Sequence, residues 1–174
     1  MVVCPFCHEV NIEGADQCEE CQQPLGFLNK PRASSAIERS LFKDNVAMLA
    51  PRKPLTVDVA TPVGDVLRLM VDRGIGCLVV VEREQMVGIF TERDALLRLN
   101  TEAARHAGRP VRDFMTASPD TIESDAPIAF ALQKMDVGGY RHIPVMTAGQ
   151  TTGIISVRDI LRYITEDLMA LSGK

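Results

Sequence analysis

The spacing of apolar residues changes several times along the chain, and each change predicts a new element. Four apolar residues follow the i, i+3, i+4, i+7 spacing of one helix face: Val63, Val66, Leu67 and Met70. Thr61 is a candidate N-cap for this helix, Pro62 suits its first turn, and Gly74 suits the position just past its end. The apolar, mostly β-branched run 78–81 then predicts a strand buried on both faces. A polar turn leads to a further strand and to a second helix from about residue 92 to 99.

This pattern occurs twice, with an offset of 65 residues. Thirteen of the 43 positions in 54–96 are identical to those in 119–161, and GIFTERD at 88–94 reappears as GIISVRD at 153–159. The apolar helix face reappears as Ile128, Ala131, Leu132 and Met135. A tandem duplication explains this agreement. Because a short strand precedes each first helix, each copy predicts a β-α-β-β-α unit in an α+β fold.

The repeats divide the chain into five segments. The copies span residues 54–100 and 113–166, and the polar residues 101–112 join them. Residues 29–53 contain a linker and a helix, which Ser34 or Ser35 can cap and which we expect to extend to about Ala50. Residues 1–28 form a separate N-terminal module.

That module contains four of the five cysteines, in two C-x-x-C pairs: Cys4, Cys7, Cys18 and Cys21. Each C-x-x-C turn directs two thiolates to one side, and two such turns supply a tetrahedral set of ligands. The pattern resembles a short zinc ribbon, and it predicts a structural zinc ion, although iron suits the same ligands. Because about 28 residues cannot form a stable core alone, we expect the metal to supply most of the folding free energy of the module.

Each GIFTERD-type segment ends with a hydroxyl and an aspartate three residues apart. One interpretation is a helix capping box. The other is a ligand site, because a carboxylate in the first turn of a helix, facing outward beside unpaired amides, can bind a vicinal diol while the amides bind phosphate.

The β-α-β-β-α order and this closing motif resemble the cystathionine β-synthase (CBS) domain, and the pair resembles a Bateman module, over residues 54–166. The resemblance implies adenine nucleotide sites between the repeats, with the aspartates as ribose contacts. The candidate residues are Thr56, Thr91, Arg93, Asp94, Thr121, Tyr140, Arg141, His142, Ser156, Arg158 and Asp159. Arg93 and Arg158 can equally be ordinary exposed helix residues.

The repeats differ where the central strand begins. Arg141 and His142 in the second repeat stand in register with Gly76 and Cys77 in the first. Arginine and histidine offer positive charge to a phosphate, so we expect the second repeat to bind phosphate more strongly. A solvated strand end is the alternative for these residues, and Cys77 itself is expected to be a buried, small apolar residue.

Composition and charge narrow the function. No apolar run reaches about 18 residues and no secretory signal opens the chain, so we expect a cytoplasmic protein without a membrane span. Residues 1–29 contain five acidic residues and no Lys or Arg, which argues against nucleic acid as the partner of the module.

The three histidines lie in three separate segments, and a four-cysteine zinc site has no open position for catalysis. We therefore expect no enzyme, but a regulatory protein that senses an adenine nucleotide, acts on a protein partner and, by its resemblance to Bateman modules, forms a homodimer. The alternative is a ligand-free dimerisation scaffold with a protein-docking ribbon.

Overall fold

Both copies of the repeat form the predicted β-α-β-β-α order. The computed structural model describes residues 1–12, 14–26, 28 and 35–172. The predicted linker at 29–34, including Ser34, lies outside the described residues. The elements are β1 Val2–Val3, β2 Val10–Asn11, α1 Ala36–Lys43, β3 Thr56–Asp58, α2 Val63–Arg73, β4 Cys77–Glu82, β5 Gln85–Thr91, α3 Glu92–Asp94, α4 Ala103–His106, β6 Thr116–Ala117, β7 Ile122–Glu123, α5 Ile128–Gly138, β8 His142–Thr147, β9 Gln150–Ser156 and α6 Val157–Ser172.

The chain divides into two compact units. One contains Ala50–Ser124 and His142–Ile155, which are the first repeat, the segment after it, and most of the strands of the second repeat. The other contains Met1–Leu49, Asp125–Arg141 and Ser156–Lys174, which are the cysteine module and helices α1, α5 and α6.

The first unit contains a four-stranded sheet in the order β3-β4-β5-β6 and most of a three-stranded sheet in the order β7-β8-β9. Strand β3 is parallel to β4, and β5 is antiparallel to both β4 and β6. Residues 78–80 are buried, as the continuous apolar run predicts. The core residues of this unit are Val59, Val63, Val66, Met70, Leu78, Val80, Phe90, Leu99, Val111 and Phe114.

Helix α2 begins one residue later than its sequence predicts. Pro62, not Thr61, is the N-cap, and it makes no side-chain capping bond. The first backbone amides instead donate to the segment between the repeats, with Val63 N bound to Arg109 O at 2.8 Å and Gly64 N bound to Ala107 O at 2.9 Å. The prediction for Gly74 is confirmed, because this residue ends the helix in the left-handed region at φ 60°.

The second helix of the first repeat is irregular. We predict one helix over residues 92–99, but α3 ends at Asp94 and continues as a single π-helical turn, Ala95–Leu99. Asn100 then adopts a φ of 48°, which stops the helix. Leu99 points into the core, whereas Leu96 and Leu97 are exposed.

Gly88 in the first repeat and Gly153 in the second stand in register, and another segment of the chain packs closely against each of them. Strand β6 pairs with β5 so that Ala117 lies opposite Gly88. In the same unit, Arg52 pairs with Ile154 of β9, and an added Cβ on Gly153 would lie 2.5 Å from Pro51 Cβ. The third strand of each repeat therefore pairs with residues that come just before the first strand of the other repeat. These are residues 116–117 beside β5 and Arg52 beside β9. Only glycine fits without displacing that segment.

The helices of the other unit differ from the sequence prediction in two details. Ser35 caps α1 by accepting a bond from Glu38 N, but α1 ends at Lys43 rather than near Ala50 because a 3₁₀ turn, Val46–Leu49, follows. Helix α5 leaves Leu132 exposed and buries Lys134, although the predicted stripe included Leu132. The reason is that α5 contacts both α1 and α6, so its buried face is broader than one apolar stripe.

Among the described residues, no helix is long and apolar enough to span a membrane.

Candidate metal and nucleotide sites

The four cysteines of the N-terminal module converge on one point. Their sulfur atoms all lie within 4.8 Å of one another, with 3.6 Å between Cys4 and Cys21 and 3.5 Å between Cys7 and Cys18. A tetrahedral zinc ion with Zn–S bonds of about 2.3 Å requires S–S separations of about 3.8 Å. The described geometry therefore fits a four-thiolate metal ion, and this cluster could hold one.

Asn11 organises the cluster, although the sequence pattern gave no reason to single it out. This buried side chain donates from Nδ2 to Glu9 O at 2.9 Å and to Cys18 Sγ at 3.5 Å. Its Oδ1 accepts from Glu19 N at 2.9 Å. Asn11 thus ties the strand pair to the second C-x-x-C turn, and a hydrogen bond to a ligand sulfur of this kind orients the ligand and stabilises its thiolate.

The thiols are not equivalent before a metal binds. A hydrogen bond from the backbone of Cys21, helped by the side chain of Asn11, lowers the pKa of Cys18 to about 6. Burial raises the pKa of Cys21 to about 12. A metal must displace a proton from each thiol it binds, so Cys18 is the ligand most readily available as a thiolate near neutral pH.

The module also contacts a helix of the second repeat. Lys134 Nζ on α5 lies 5.9 Å from the centre of the Phe6 ring, within range of a cation–π contact. Phe6 lies between the ligands Cys4 and Cys7, and the structure buries Lys134 almost completely. The cysteine module and helix α5 therefore share a contact.

In the first repeat, Thr91 and Asp94 form a complete capping box. Asp94 Oδ2 accepts from Thr91 N at 3.0 Å and from Thr91 Oγ1 at 2.7 Å, while Asp94 N donates to Thr91 Oγ1 at 3.2 Å. The carboxylate does not face outward as we expect from its position in the helix, because only 6% of Asp94 is exposed.

Two residues that the motif does not include also hold this carboxylate. Thr116 Oγ1 on β6 donates to Asp94 Oδ1 at 2.8 Å, and Arg98 Nε lies 3.5 Å from the same oxygen. Only the tertiary structure brings Thr116 here, since it lies 22 residues away along the chain. The sequence offered one signal for Arg98: the repeats differ in charge at this position, where the second repeat has Tyr163.

In the second repeat, Ser156 and Asp159 are arranged similarly. Asp159 Oδ2 accepts from Ser156 N and from Ser156 Oγ, both at 2.7 Å. Asp159 Oδ1 accepts from Arg162 Nη2 at 2.6 Å. The backbone of Arg141 joins the same junction, since its carbonyl accepts from Val157 N at 3.0 Å, and its side chain is exposed.

The remaining predicted site residues differ in element and exposure. Thr56 is exposed on β3, and Arg93 is exposed in the first turn after β5. Thr121 precedes β7 and His142 begins β8, both half-buried. In the other unit, Arg158 is exposed in the first turn of α6, and the half-buried Tyr140 precedes Arg141.

Burial makes Cys77 unreactive, in agreement with the sequence prediction. Cys77 is the first residue of β4, and it is buried. Desolvation, together with the nearby negative charge of Asp94, raises the pKa of its thiol to about 12. Cys77 therefore stays protonated at physiological pH.

Comparison with known proteins agrees with the repeat structure. The CBS domain family matches residues 46–100 and 111–166. A CBS domain-containing protein from Arabidopsis thaliana is 30% identical over 150 residues, which cover 83% of this chain and 28% of the relative. The chain therefore spans less than a third of the length of that relative.

Two solved structures have the same fold. A CBS-domain containing protein from Agrobacterium tumefaciens is 27% identical with a TM-score of 0.65, covering 69% of this chain and 98% of its own. A CBS domain protein from Pyrobaculum aerophilum, complexed with AMP, is 25% identical with a TM-score of 0.62, covering 73% of this chain and 99% of its own.

Proposed function

The chain belongs to the CBS domain family, and on that premise we propose that it is a regulatory protein that binds an adenine nucleotide and signals its presence to a protein partner. The observation that carries the proposal is the junction motif, present in both repeats, which joins a hydroxyl to a carboxylate at the first turn of a helix: Thr91 with Asp94 and Ser156 with Asp159. The Pyrobaculum relative bound to AMP supports the ligand class.

The chemistry of the junction suits a nucleoside phosphate. A carboxylate accepts hydrogen bonds from both hydroxyls of a ribose, while the first amides of a helix and a nearby cation attract the phosphate. At the second junction, Asp159 lies at the start of α6, the carbonyl of Arg141 is bound to the first amide of that helix, and the Arg141 side chain is exposed. We expect Asp159 to bind the ribose and Arg141 to bind the phosphate.

The test is a calorimetric titration of the full chain with AMP, ADP, ATP and S-adenosylmethionine. We expect at least one of them to bind, and Asp159→Ala to weaken binding about tenfold or more, since a hydrogen bond to a charged group contributes roughly 1.5–3 kcal/mol. Asp72→Ala, at an exposed position of α2, is the control for removing an acidic side chain. If no ligand binds, the protein is the alternative, a scaffold whose junction motifs serve only as helix caps.

A specific observation at the first junction favours that alternative, and the bonds from Ser156 to Asp159 at the second junction are of the same kind. The hydrogen bonds of Thr91 and Asp94 complete a capping box, and no ligand is needed to explain it. The titration therefore separates the two functions for the chain as a whole.

We infer that the cysteine cluster holds zinc in a structural role. The sulfur separations fit the ion, and four thiolates leave no coordination position for a substrate. Elemental analysis of protein purified without chelator should give one zinc per chain and would distinguish zinc from iron. A carefully prepared sample without either metal would contradict the inference.

The same module is our proposed docking surface for the partner. Val3 and Val10 are paired across the β1–β2 ribbon and are exposed, with Ile12 next on the same face. Exposed acidic residues, including Glu9 and Glu19, lie in the same module. Val10→Lys should release a partner that co-purifies with the wild-type chain, without changing nucleotide affinity; retention of the partner would place docking elsewhere.

We also propose that the chain forms a homodimer. Leu96 and Leu161 occupy the same register position in the two repeats, and they are 73% and 57% exposed. Exposed leucines that recur in this way favour an apolar contact with another chain. Sedimentation should show a dimer that Leu96→Asp weakens, whereas a monomer at high concentration would contradict the proposal.

A further inference from the structure

A carboxylate lies over the entrance of the central strand in the first repeat. An added Cβ on Gly76 would lie 3.1 Å from Glu92 Oε2 and 3.4 Å from Glu92 Oε1. The backbone holds the two residues together, since Glu92 N donates to Gly76 O at 3.1 Å. The first repeat therefore presents a negative charge where the motif leads us to expect the phosphate, and like charges at this separation repel.

The ribose contact of the first repeat is also occupied. Both oxygens of Asp94 already accept hydrogen bonds, Oδ2 from Thr91 and Oδ1 from Thr116. A ribose diol would have to displace Thr116 to reach Oδ1. Since Asp94 is buried, the exchange would also require the surrounding chain to move.

Thr116 is firmly held in this position. It lies opposite Ile89 in the ladder between β5 and β6. Arg98 donates to the carbonyl of Phe114 at 3.1 Å, to the carbonyl of Met115, and to Thr116 Oγ1 at 3.3 Å. The Thr116–Asp94 bond is thus fixed by main-chain contacts, not by two freely rotating side chains.

The second repeat replaces each of these groups. Arg141 stands in register with Gly76, and Val157 with Glu92, so a cation replaces glycine and a neutral residue replaces the carboxylate. Pro51 stands in register with Thr116 and has no hydroxyl to donate.

Tyr163 stands in register with Arg98, and its hydroxyl donates to Asp44. The cation on Asp159 is Arg162, whose side chain is 52% exposed, although the Asp159 side chain itself is only 11% exposed. An exposed arginine can turn toward an incoming phosphate at little cost in contacts.

From this difference we propose that the first repeat is closed to nucleoside phosphates by Glu92 and Thr116. The chain then binds one anionic nucleotide, at the second repeat, and uses the first repeat as a structural partner. This inference rests on the proposed function. It adds a stoichiometry of one nucleotide per chain, and it names Glu92 and Thr116 as the residues that exclude the nucleotide from the first repeat.

The experiment is calorimetric titration of the full chain with AMP, with the stoichiometry as the readout. Wild-type protein should bind one AMP per chain, and Asp159→Asn should weaken that binding about tenfold or more. The double variant Glu92→Val and Thr116→Val, which copies the neutral side chain of the second repeat and removes the hydroxyl, should bind a second AMP. Glu166→Val, an equal charge change at an exposed position of α6, should still bind one.

The outcomes separate the two proposals. Two AMP molecules per wild-type chain, or one AMP retained at full affinity in Asp159→Asn, would overturn the closure of the first repeat while leaving nucleotide binding in place. A folded double variant that still binds one AMP would show that Glu92 and Thr116 are not what closes the site, and would also overturn it. No AMP binding in any variant would overturn this inference, whereas the proposed function fails only if ADP, ATP and S-adenosylmethionine do not bind either. Circular dichroism of each variant establishes that it is folded.

Discussion

Replacing Gly88 with alanine tests how tightly β6 packs on the first repeat. The new Cβ would lie 2.6 Å from Met115 Sδ and 2.8 Å from Thr116 O. Carbon normally approaches such atoms to about 3.5 Å or more. The flexible Met115 side chain can move away, but the Thr116 carbonyl belongs to β6, which is paired with β5.

The cost follows from moving a paired strand. Over-packing of a well-packed site typically costs about 1–3 kcal/mol. Replacing glycine with alanine also lowers the conformational entropy of the unfolded chain, which stabilises the folded protein by about 0.4–1 kcal/mol. We therefore expect Gly88→Ala to lower the free energy of unfolding by about 1–2 kcal/mol. Gly88 has no positive φ, so steric overlap and not backbone strain is the reason.

Gly108→Ala is the matched control. No atom lies within 4 Å of its added Cβ, and its φ is not positive. This variant should be neutral or stabilised by up to about 1 kcal/mol.

The assay is urea denaturation followed by circular dichroism. With a slope of about 2 kcal/mol per molar urea, Gly88→Ala should lower the midpoint by about 0.5–1 M at unchanged slope. If Gly88→Ala and Gly108→Ala have the same midpoint, β6 does not pack on Gly88 as described, and the contact between Thr116 and Asp94 loses its support as well.

Three further outcomes are expected. Cys18→Ser should abolish stoichiometric metal binding while leaving the secondary structure of the repeats unchanged; metal retained at one per chain would show that three thiolates suffice. Because the pKa of Cys77 is raised to about 12, its thiol should be unmodified by iodoacetamide at pH 9 in the folded protein and react after unfolding in urea; fast labelling of the folded chain would show that the start of β4 is open. Tyr163→Phe should destabilise the unit that contains α1 and α6 by about 1–2 kcal/mol, because Asp44 loses a half-buried donor, and an unchanged thermal midpoint would contradict this.

Several features of the candidate sites could be predicted from spacing alone. The two C-x-x-C pairs identified all four members of the cysteine cluster, because two residues between cysteines determine the local turn that brings their sulfurs together. The hydroxyl–carboxylate pairs were identified for the same reason, since residues three apart meet in the first turn of any helix. The role of these pairs in nucleotide binding remains a prediction.

Other features could not be predicted because they join distant segments. Nothing near Asp94 in sequence indicates that Thr116 binds its carboxylate, and nothing near Gly88 or Gly153 indicates the chain that crosses above them. Lys134 is a buried cation outside the apolar stripe of α5, a helix that also meets α1 and α6.

By itself, the sequence therefore determined the duplicated β-α-β-β-α units, the four-cysteine cluster and the family, because these depend on periodicity and spacing over a few residues. Only the tertiary structure decided that Asp94 is buried and that Thr116 holds its carboxylate. The physical reason is that a local motif specifies which groups a residue can offer, whereas the segments that pack on it from elsewhere in the chain decide which of those groups remain available to a ligand.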